Sequence, residues 1–382
     1  MVGLYAHVPF CVKRCIYCDF YSNTRMEYKE DYLTAVTREM EMRHDYLSGE
    51  PLKTVYFGGG TPSQLNVYDF ERLFDTIYRL FSFSPDPEIT IEANPDDLSE
   101  EYILSLTKLP INRISIGIQS FKDEDLCLLN RRHTAADATA AVYRCKDAGF
   151  DNISIDLIYG LPGQTVGEWS DNIGKAIALD VSHISAYNLT YEEGTLICDK
   201  AKQGDIRPVD DELCESLFFM LKKKLADAGF VHYEISNFAK SNSSYPAGRI
   251  SVHNYSYWTG AHYLGVGPSA HSYNGESRSW NVSSVSTYIH AINKKLEIPH
   301  ETEYSDKRTK YNDYVITRLR TMWGLSLSEL RTEFGEERER YLLKKSEPFL
   351  RSKKLKIEGV YVKISADGLF VSDTIMRELI AI

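Results

Sequence analysis

The chain has 382 residues, 43% of them hydrophobic, and a formal net charge of −10 at pH 7. That length allows two or three domains with buried cores, and the acidic balance argues against broad nucleic-acid binding. No apolar run approaches the roughly 20 residues of a membrane helix, no signal-peptide pattern opens the chain, and seven unevenly placed cysteines do not read as a disulfide framework. The expected compartment is the reducing cytoplasm. From Ser305 onward, 16 Lys and Arg stand against 12 Asp and Glu. Such a basic tail suits a peripheral contact with a membrane surface or simply a solvated face.

Leu4 to Val8 reads as a short strand running into Cys11-Val12-Lys13-Arg14-Cys15-Ile16-Tyr17-Cys18. Three soft sulfurs this close select a soft metal or an iron–sulfur cluster. A four-iron cubane normally takes four cysteines, so three leave one iron open. The alternative is a structural zinc site completed by His7 or Asp19, but zinc ligands usually come as two pairs on separate turns. The spacing resembles the signature of the radical S-adenosylmethionine superfamily. That resemblance implies a 4Fe–4S cluster on Cys11, Cys15 and Cys18, with S-adenosylmethionine chelating the open iron.

A helical stretch from Tyr28 to about Tyr46 follows, then a strand at Thr54–Phe57 ending in Gly58-Gly59-Gly60-Thr61-Pro62. Further strands are expected at Glu88–Ala93, Arg113–Gln119, Ile153–Ile158 and His183–Leu189. Helices lie between them, at about Asp69–Leu80, after Ser99, at Asp123–Leu129, Ala135–Ala148 and Val166–Leu179. Gly149 sits where a helix C-terminus favours glycine. Six strands alternating with helices argue for parallel β/α units. The fold class is therefore α/β, a partial (β/α)6 TIM-like barrel. In such barrels the active site lies at the C-terminal strand ends, where this chain places the cysteine loop, the glycine run, Glu92, Gln119, Asp156 and Thr190.

Beyond Glu193 the pattern changes. An amphipathic helix spans Asp210–Ala228, and a polar loop, Ser241–Gly248, leads to His253-Asn254-Tyr255-Ser256-Tyr257-Trp258. Three short helices from about Tyr311 precede a hairpin expected at Leu355–Ser365 and Leu369–Ser372, with Asp367-Gly368 at the turn. These compose a small helical, winged-helix-like C-terminal domain. The division expected is 1–200 for the barrel, 201–300 for an α+β extension and 301–382 for the C-terminal domain.

A carboxylate at the end of an apolar strand is costly without a partner, so Glu92 and Asp156 fit a ribose hydroxyl, an ammonium group or a neighbouring arginine. The guanidinium of Arg131 suits a carboxylate. Taken together, Tyr5 to Phe10 with the cysteine loop, Gly-Gly-Gly-Thr-Pro, Ser115 to Phe121, Asn130-Arg131-Arg132 and Asp156 to Thr165 resemble the oxygen-independent coproporphyrinogen oxidase family. The likeness runs from about residue 2 to beyond residue 280. It implies S-adenosylmethionine contacts from Tyr5, Gly59, Gly60, Thr61, Glu92, Gln119, Arg131 and Asp156, and from the backbone near Thr190.

The oxidase has a fourth cysteine two residues after the third; here the position is Phe20. That departure, the early cysteine loop and His253-Asn254-x-x-Tyr257-Trp258 are similar to the HemW-type heme-chaperone branch. The resemblance implies heme binding at His253, with His262 and His271 as nearby rivals, and transfer of heme to acceptor proteins such as membrane respiratory enzymes. It leaves open whether S-adenosylmethionine is cleaved. The alternatives are radical decarboxylation of coproporphyrinogen III and radical-driven heme degradation.

Overall fold

The computed structural model describes residues 2–241 and 248–381. Most of the polar loop expected at Ser241–Gly248 lies outside the described residues. The six expected strands form in order as β1 (Val2–Val8), β2 (Leu52–Gly59), β3 (Phe83–Ala93), β4 (Arg113–Gln119), β5 (Ile153–Tyr159) and β6 (His183–Asn188), each parallel to the next. Helices cross between them, and three of these open with reciprocal capping boxes at Asn66, Thr134 and Thr165, which satisfy backbone donors that the first turn would otherwise leave bare.

The segment after β6 adds to both edges of this same sheet. β7 (Phe230–Glu234) and β8 (Asn237–Lys240) pair antiparallel beyond β6, while β9 (His262–Val266) lies parallel to β1. β10 (His271–Tyr273), β11 (Ser277–Asn281) and β12 (His300–Tyr304) continue outward from β9. The result is a curved sheet of twelve strands with an open seam rather than a closed ring.

Side chains alternate between the two faces of a strand, and here the two sets differ in kind. Leu4, Ala6, Val55, Phe57, Ile89, Ile91, Ile114, Ile116, Ile155, Leu157, Ile184 and Ala186 are buried in one apolar cluster with the helices. Their neighbours in sequence are Tyr5, Thr54, Tyr56, Glu88, Thr90, Glu92, Arg113, Ser115, Ser154, Asp156, His183 and Ser185. They form the concave side. A closed barrel of this type fills its interior with branched apolar side chains; this one is lined with hydroxyls, carboxylates and imidazoles.

The β9–β11 flank is fastened to the helix Lys29–Met42 by a buried carboxylate. Glu39 accepts from Arg43 Nη1 (3.1 Å), Asn281 Nδ2 (2.7 Å), the Gly267 N–H (2.8 Å) and the Tyr288 hydroxyl (2.5 Å). Arg43 also donates to Gly265 O and Ser272 Oγ.

The C-terminal region builds its own core from helices Lys307–Leu319, Leu327–Phe334 and Glu336–Arg351 and a three-stranded antiparallel sheet. That sheet consists of β13 (Leu325–Ser326), β14 (Leu355–Glu358) and β15 (Tyr361–Ile364), with β15 central. The element order is that of a winged helix. The hairpin is tighter than expected: it turns at Gly359-Val360, where Gly359 adopts φ +61°, and Asp367-Gly368 falls in a 3-10 helix, Ala366–Val371. The reason is steric. A Cβ on Gly368 would lie 2.2 Å from Lys354 O, so this glycine serves close packing against the strand rather than a turn.

Candidate functional site

A single cavity of about 1720 Å³ occupies the concave side. Cys11, Cys15, Cys18, Tyr5, Gly59, Gly60, Thr61, Glu92, Gln119, Arg131, Asp156 and Thr190 all line it, and so do His253, Tyr257, Trp258 and His271. Of the rival histidines, His262 is not among the lining residues.

The cysteine loop leaves β1 and is closed at its base by backbone hydrogen bonds: Asn23 N to Pro9 O (2.6 Å) and Cys11 N to Asn23 O (3.0 Å). Its far side is held by Asn130 Nδ2 on Arg14 O (2.7 Å) and by Ile197 N on Ile16 O (2.9 Å). Two sulfurs receive donors. Thr61 Oγ1 donates to Cys11 Sγ at 3.2 Å, and Arg131 Nη1 to Cys15 Sγ at 3.4 Å. Burial raises the Cys11 thiol and pushes Cys18 to about 11, so metal binding here must release protons. His7 is not available to complete a zinc site. Its Nε2 is bonded to Tyr21 O (2.9 Å) and its Nδ1 to the Tyr5 hydroxyl (3.1 Å), and burial lowers its pKa to about 4.

The glycine run is explained by internal packing. A Cβ on Gly60 would lie 2.8 Å from both the Pro9 carbonyl carbon and Val8 O, and one on Gly59, at φ +108°, would lie 2.5 Å from the His7 ring. Without side chains the run nests against the root of the cysteine loop, bringing Thr61 to Cys11. Glu92 accepts from the Tyr56 hydroxyl (2.7 Å) and the Gly59 N–H (3.1 Å). Burial still raises its carboxyl to about 7. Asp156 is likewise raised by burial, against hydrogen bonds from Ser185 and Ser115.

Gln119 stands at a bulge in the β4–β5 register, with φ +70°. A bulge re-aims a side chain, and this one turns Gln119 back over Gly117, where a Cβ would come within 2.8 Å of the amide nitrogen. Arg131 Nη2 donates to Asn94 Oδ1 and Gly117 O, both at 2.6 Å. Its Nε is buried without a partner among the described residues.

His253 lies on the short helix Val252–Trp258, four of whose residues line the cavity. The Glu88 carboxylate accepts the first N–H groups of that helix, from Val252 (3.0 Å) and His253 (2.9 Å). The imidazole is buried and doubly engaged, with Nδ1 2.8 Å from Thr54 Oγ1 and Nε2 2.7 Å from the Tyr257 hydroxyl. It stacks on Tyr56 at 4.8 Å. Burial, and then the Arg113 charge, lowers its pKa to about 3, so it is neutral and oriented. A ligand role at Nε2 requires Tyr257 to move aside. The ring of His271, by contrast, makes no hydrogen bond to a described residue.

The family models that match are the radical SAM superfamily, over residues 5–175, and the HemN C-terminal domain, over residues 306–371. The protein named heme chaperone HemW of Bacillus subtilis is 35% identical over 338 residues, covering 88% of this chain and 87% of its own length. The chain belongs to the HemW family of radical SAM proteins. A HemW of Mycobacterium tuberculosis is 32% identical across 99% of this chain and 94% of its own. The HemW fold here is that of the Escherichia coli coproporphyrinogen III oxidase HemN, with a TM-score of 0.85 at 23% identity, covering 100% of this chain and 90% of that one.

Superfamily membership implies a 4Fe–4S cluster and S-adenosylmethionine. The residues fit both: three thiols share one loop, two of them already receive N–H or O–H donors, and an unsatisfied arginine nitrogen stands beside them. A cluster held by Cys11, Cys15 and Cys18 would supply one-electron chemistry at a potential set by its surroundings. Hydrogen bonds to cluster sulfurs tune that potential.

The residues missed by sequence reasoning are those deeper in the strands: Thr54, Tyr56, Glu88, Arg113, Ser115 and Ser185. Their signal is the period-two alternation of polar with apolar residues in β2 to β6, since strands buried on both faces run continuously apolar.

Proposed function

We propose that this protein is a heme chaperone: it takes up heme in the cavity and passes it to acceptor proteins, among them membrane respiratory enzymes. In this reading Cys11, Cys15 and Cys18 hold the cluster. Tyr5, Gly59, Gly60, Thr61, Glu92, Gln119, Arg131 and Asp156 hold S-adenosylmethionine. His253, with Tyr257 and Trp258, meets the heme. The carrying observation is that one cavity is lined both by the cysteine loop and by the His253–Trp258 helix, in a chain whose relatives are named heme chaperones. A histidine is a common axial ligand for heme iron, and flat aromatic side chains suit a macrocycle.

The division of labour follows the chain. Residues 1–200 carry cluster and nucleotide, 201–300 the heme segment, and 301–382 a unit for docking acceptors. No helix among the described residues is long and apolar enough to cross a membrane. A cytoplasmic protein that meets membrane acceptors peripherally, through its basic C-terminal region, fits this reading.

The test is heme titration of the anaerobically reconstituted protein, followed by transfer to an apo-cytochrome in membranes. His253→Ala is expected to weaken heme binding with iron and sulfide content unchanged. Unaltered heme spectra and affinity in that variant, with a loss in His271→Ala, would move ligation to His271. Incubation with coproporphyrinogen III, reductant and S-adenosylmethionine is expected to leave the porphyrinogen unchanged, and formation of protoporphyrinogen would overturn the chaperone reading. Loss of the Soret band under the same reducing conditions would instead mean heme degradation.

A further inference from the structure

Arg113 is the largest charged side chain inside the molecule, 1% exposed, and it lines the cavity. Neither Nε nor Nη1 has a hydrogen-bond partner among the described residues. The Glu88 carboxylate stands 3.9 Å from Nε, beyond hydrogen-bond length, and its oxygens already accept the Val252 and His253 N–H groups. Directly opposite Arg113 in the β3–β4 register is Thr90, whose hydroxyl is buried and equally without a partner.

A guanidinium keeps its charge under all ordinary conditions, and burying its N–H groups unpaired is costly. The concave lining supplies charge balance from Glu92 and Asp156 at a distance but no acceptor at hydrogen-bond length. A guanidinium with unpaired N–H donors on a cavity wall suits a carboxylate ligand.

We propose that Arg113 forms a carboxylate-binding subsite on the concave wall, which takes a propionate of the heme. The subsite is separate from the positions assigned to S-adenosylmethionine, whose carboxylate falls to Arg131. This proposal rests on the heme-chaperone reading and deepens it by naming what fixes the macrocycle's orientation. Iron ligation alone leaves a flat ring free to rotate about its axis; a buried cation for one propionate removes that freedom.

The experiment compares hemin with its dimethyl ester, in which both carboxylates are capped, under identical detergent conditions and on the cluster-loaded full chain. The wild-type protein is expected to bind the diacid at least about tenfold more tightly than the diester, a difference of about 1.4 kcal/mol. In Arg113→Gln that preference is expected to collapse towards unity through weaker diacid binding, with diester affinity and cluster content unchanged. Equal binding of diacid and diester by the wild type, or a preference that survives in Arg113→Gln, overturns the subsite while leaving heme uptake intact. Loss of S-adenosylmethionine affinity with the heme preference retained overturns it too. Where Arg113→Gln fails to accumulate, Arg113→Lys takes its place, and an undiminished preference there overturns the proposal. Failure of the wild type to bind either compound sinks the heme reading itself.

Discussion

Titrating Glu92 should change how tightly the reconstituted protein binds S-adenosylmethionine. Burial raises this carboxyl from 4.5 to about 7. It is then roughly nine-tenths ionised at pH 8 and about one-tenth ionised at pH 6. If the ionised form holds the ligand, affinity falls about tenfold across that interval, or about 1.4 kcal/mol. The ligand's own amine titrates nearby, so the diagnostic quantity is the difference between wild type and Glu92→Gln, measured by anaerobic calorimetry at constant ionic strength. Linkage gives a second reading. The folded pKa stands above 4.5, so ionisation opposes folding. Relative to Glu92→Gln, ligand-free wild type is expected to lose stability as pH rises from about 4.5 through about 7, by up to about 3 kcal/mol, reduced by the partial exposure of the side chain. Identical pH slopes for ligand affinity in the two proteins would refute the reasoning.

Three further outcomes are expected. Glu39→Gln loses an ionised acceptor for four donors and leaves Arg43 buried beside a neutral group; a loss of about 3–5 kcal/mol should appear as a lower urea midpoint with unchanged slope, and a loss below about 1 kcal/mol would show that solvent compensates. Arg131→Met removes a cationic donor to Cys15 and Thr61→Val a neutral one to Cys11. Each should shift the cluster to a more negative potential in a redox titration followed by electron paramagnetic resonance, Arg131→Met by more, and unshifted potentials would mean these contacts are not kept in the loaded protein. Gly60→Ala drives a methyl against the backbone at Val8 and Pro9; a destabilisation of about 1–3 kcal/mol should come with lower iron and sulfide per chain, and full cluster loading would show that the loop adapts.

The barrel was legible because its strands obey a simple rule of sequence: β-branched runs such as Arg113–Gln119 and Ile153–Ile158, separated by helices with readable caps. The cysteine loop was legible because ligand spacing is local. The polar lining was written in the same strands, but alternation alone does not say which face encloses a cavity. Two placements were not readable because they depend on packing. Asp367-Gly368 looks like a hairpin turn, yet Gly368 is required by contact with Lys354, which no local pattern announces. Tyr257 lies four residues after His253 on one helical face, and its hydroxyl holds the imidazole. The pair therefore reads as a preset donor as much as a macrocycle contact. Strands β9 to β12 escaped notice as part of the main sheet because long-range pairing leaves no periodic trace in their short segments.

The helix bearing His253 ends at Trp258, and there it is gripped from outside the sheet. Arg318 donates to the Trp258 carbonyl at 2.7 Å, and Arg320 lies over the indole at 4.6 Å. Tyr255 meets Trp323 at 4.6 Å. A displacement of the winged-helix unit is thus carried directly into the helix that bears His253.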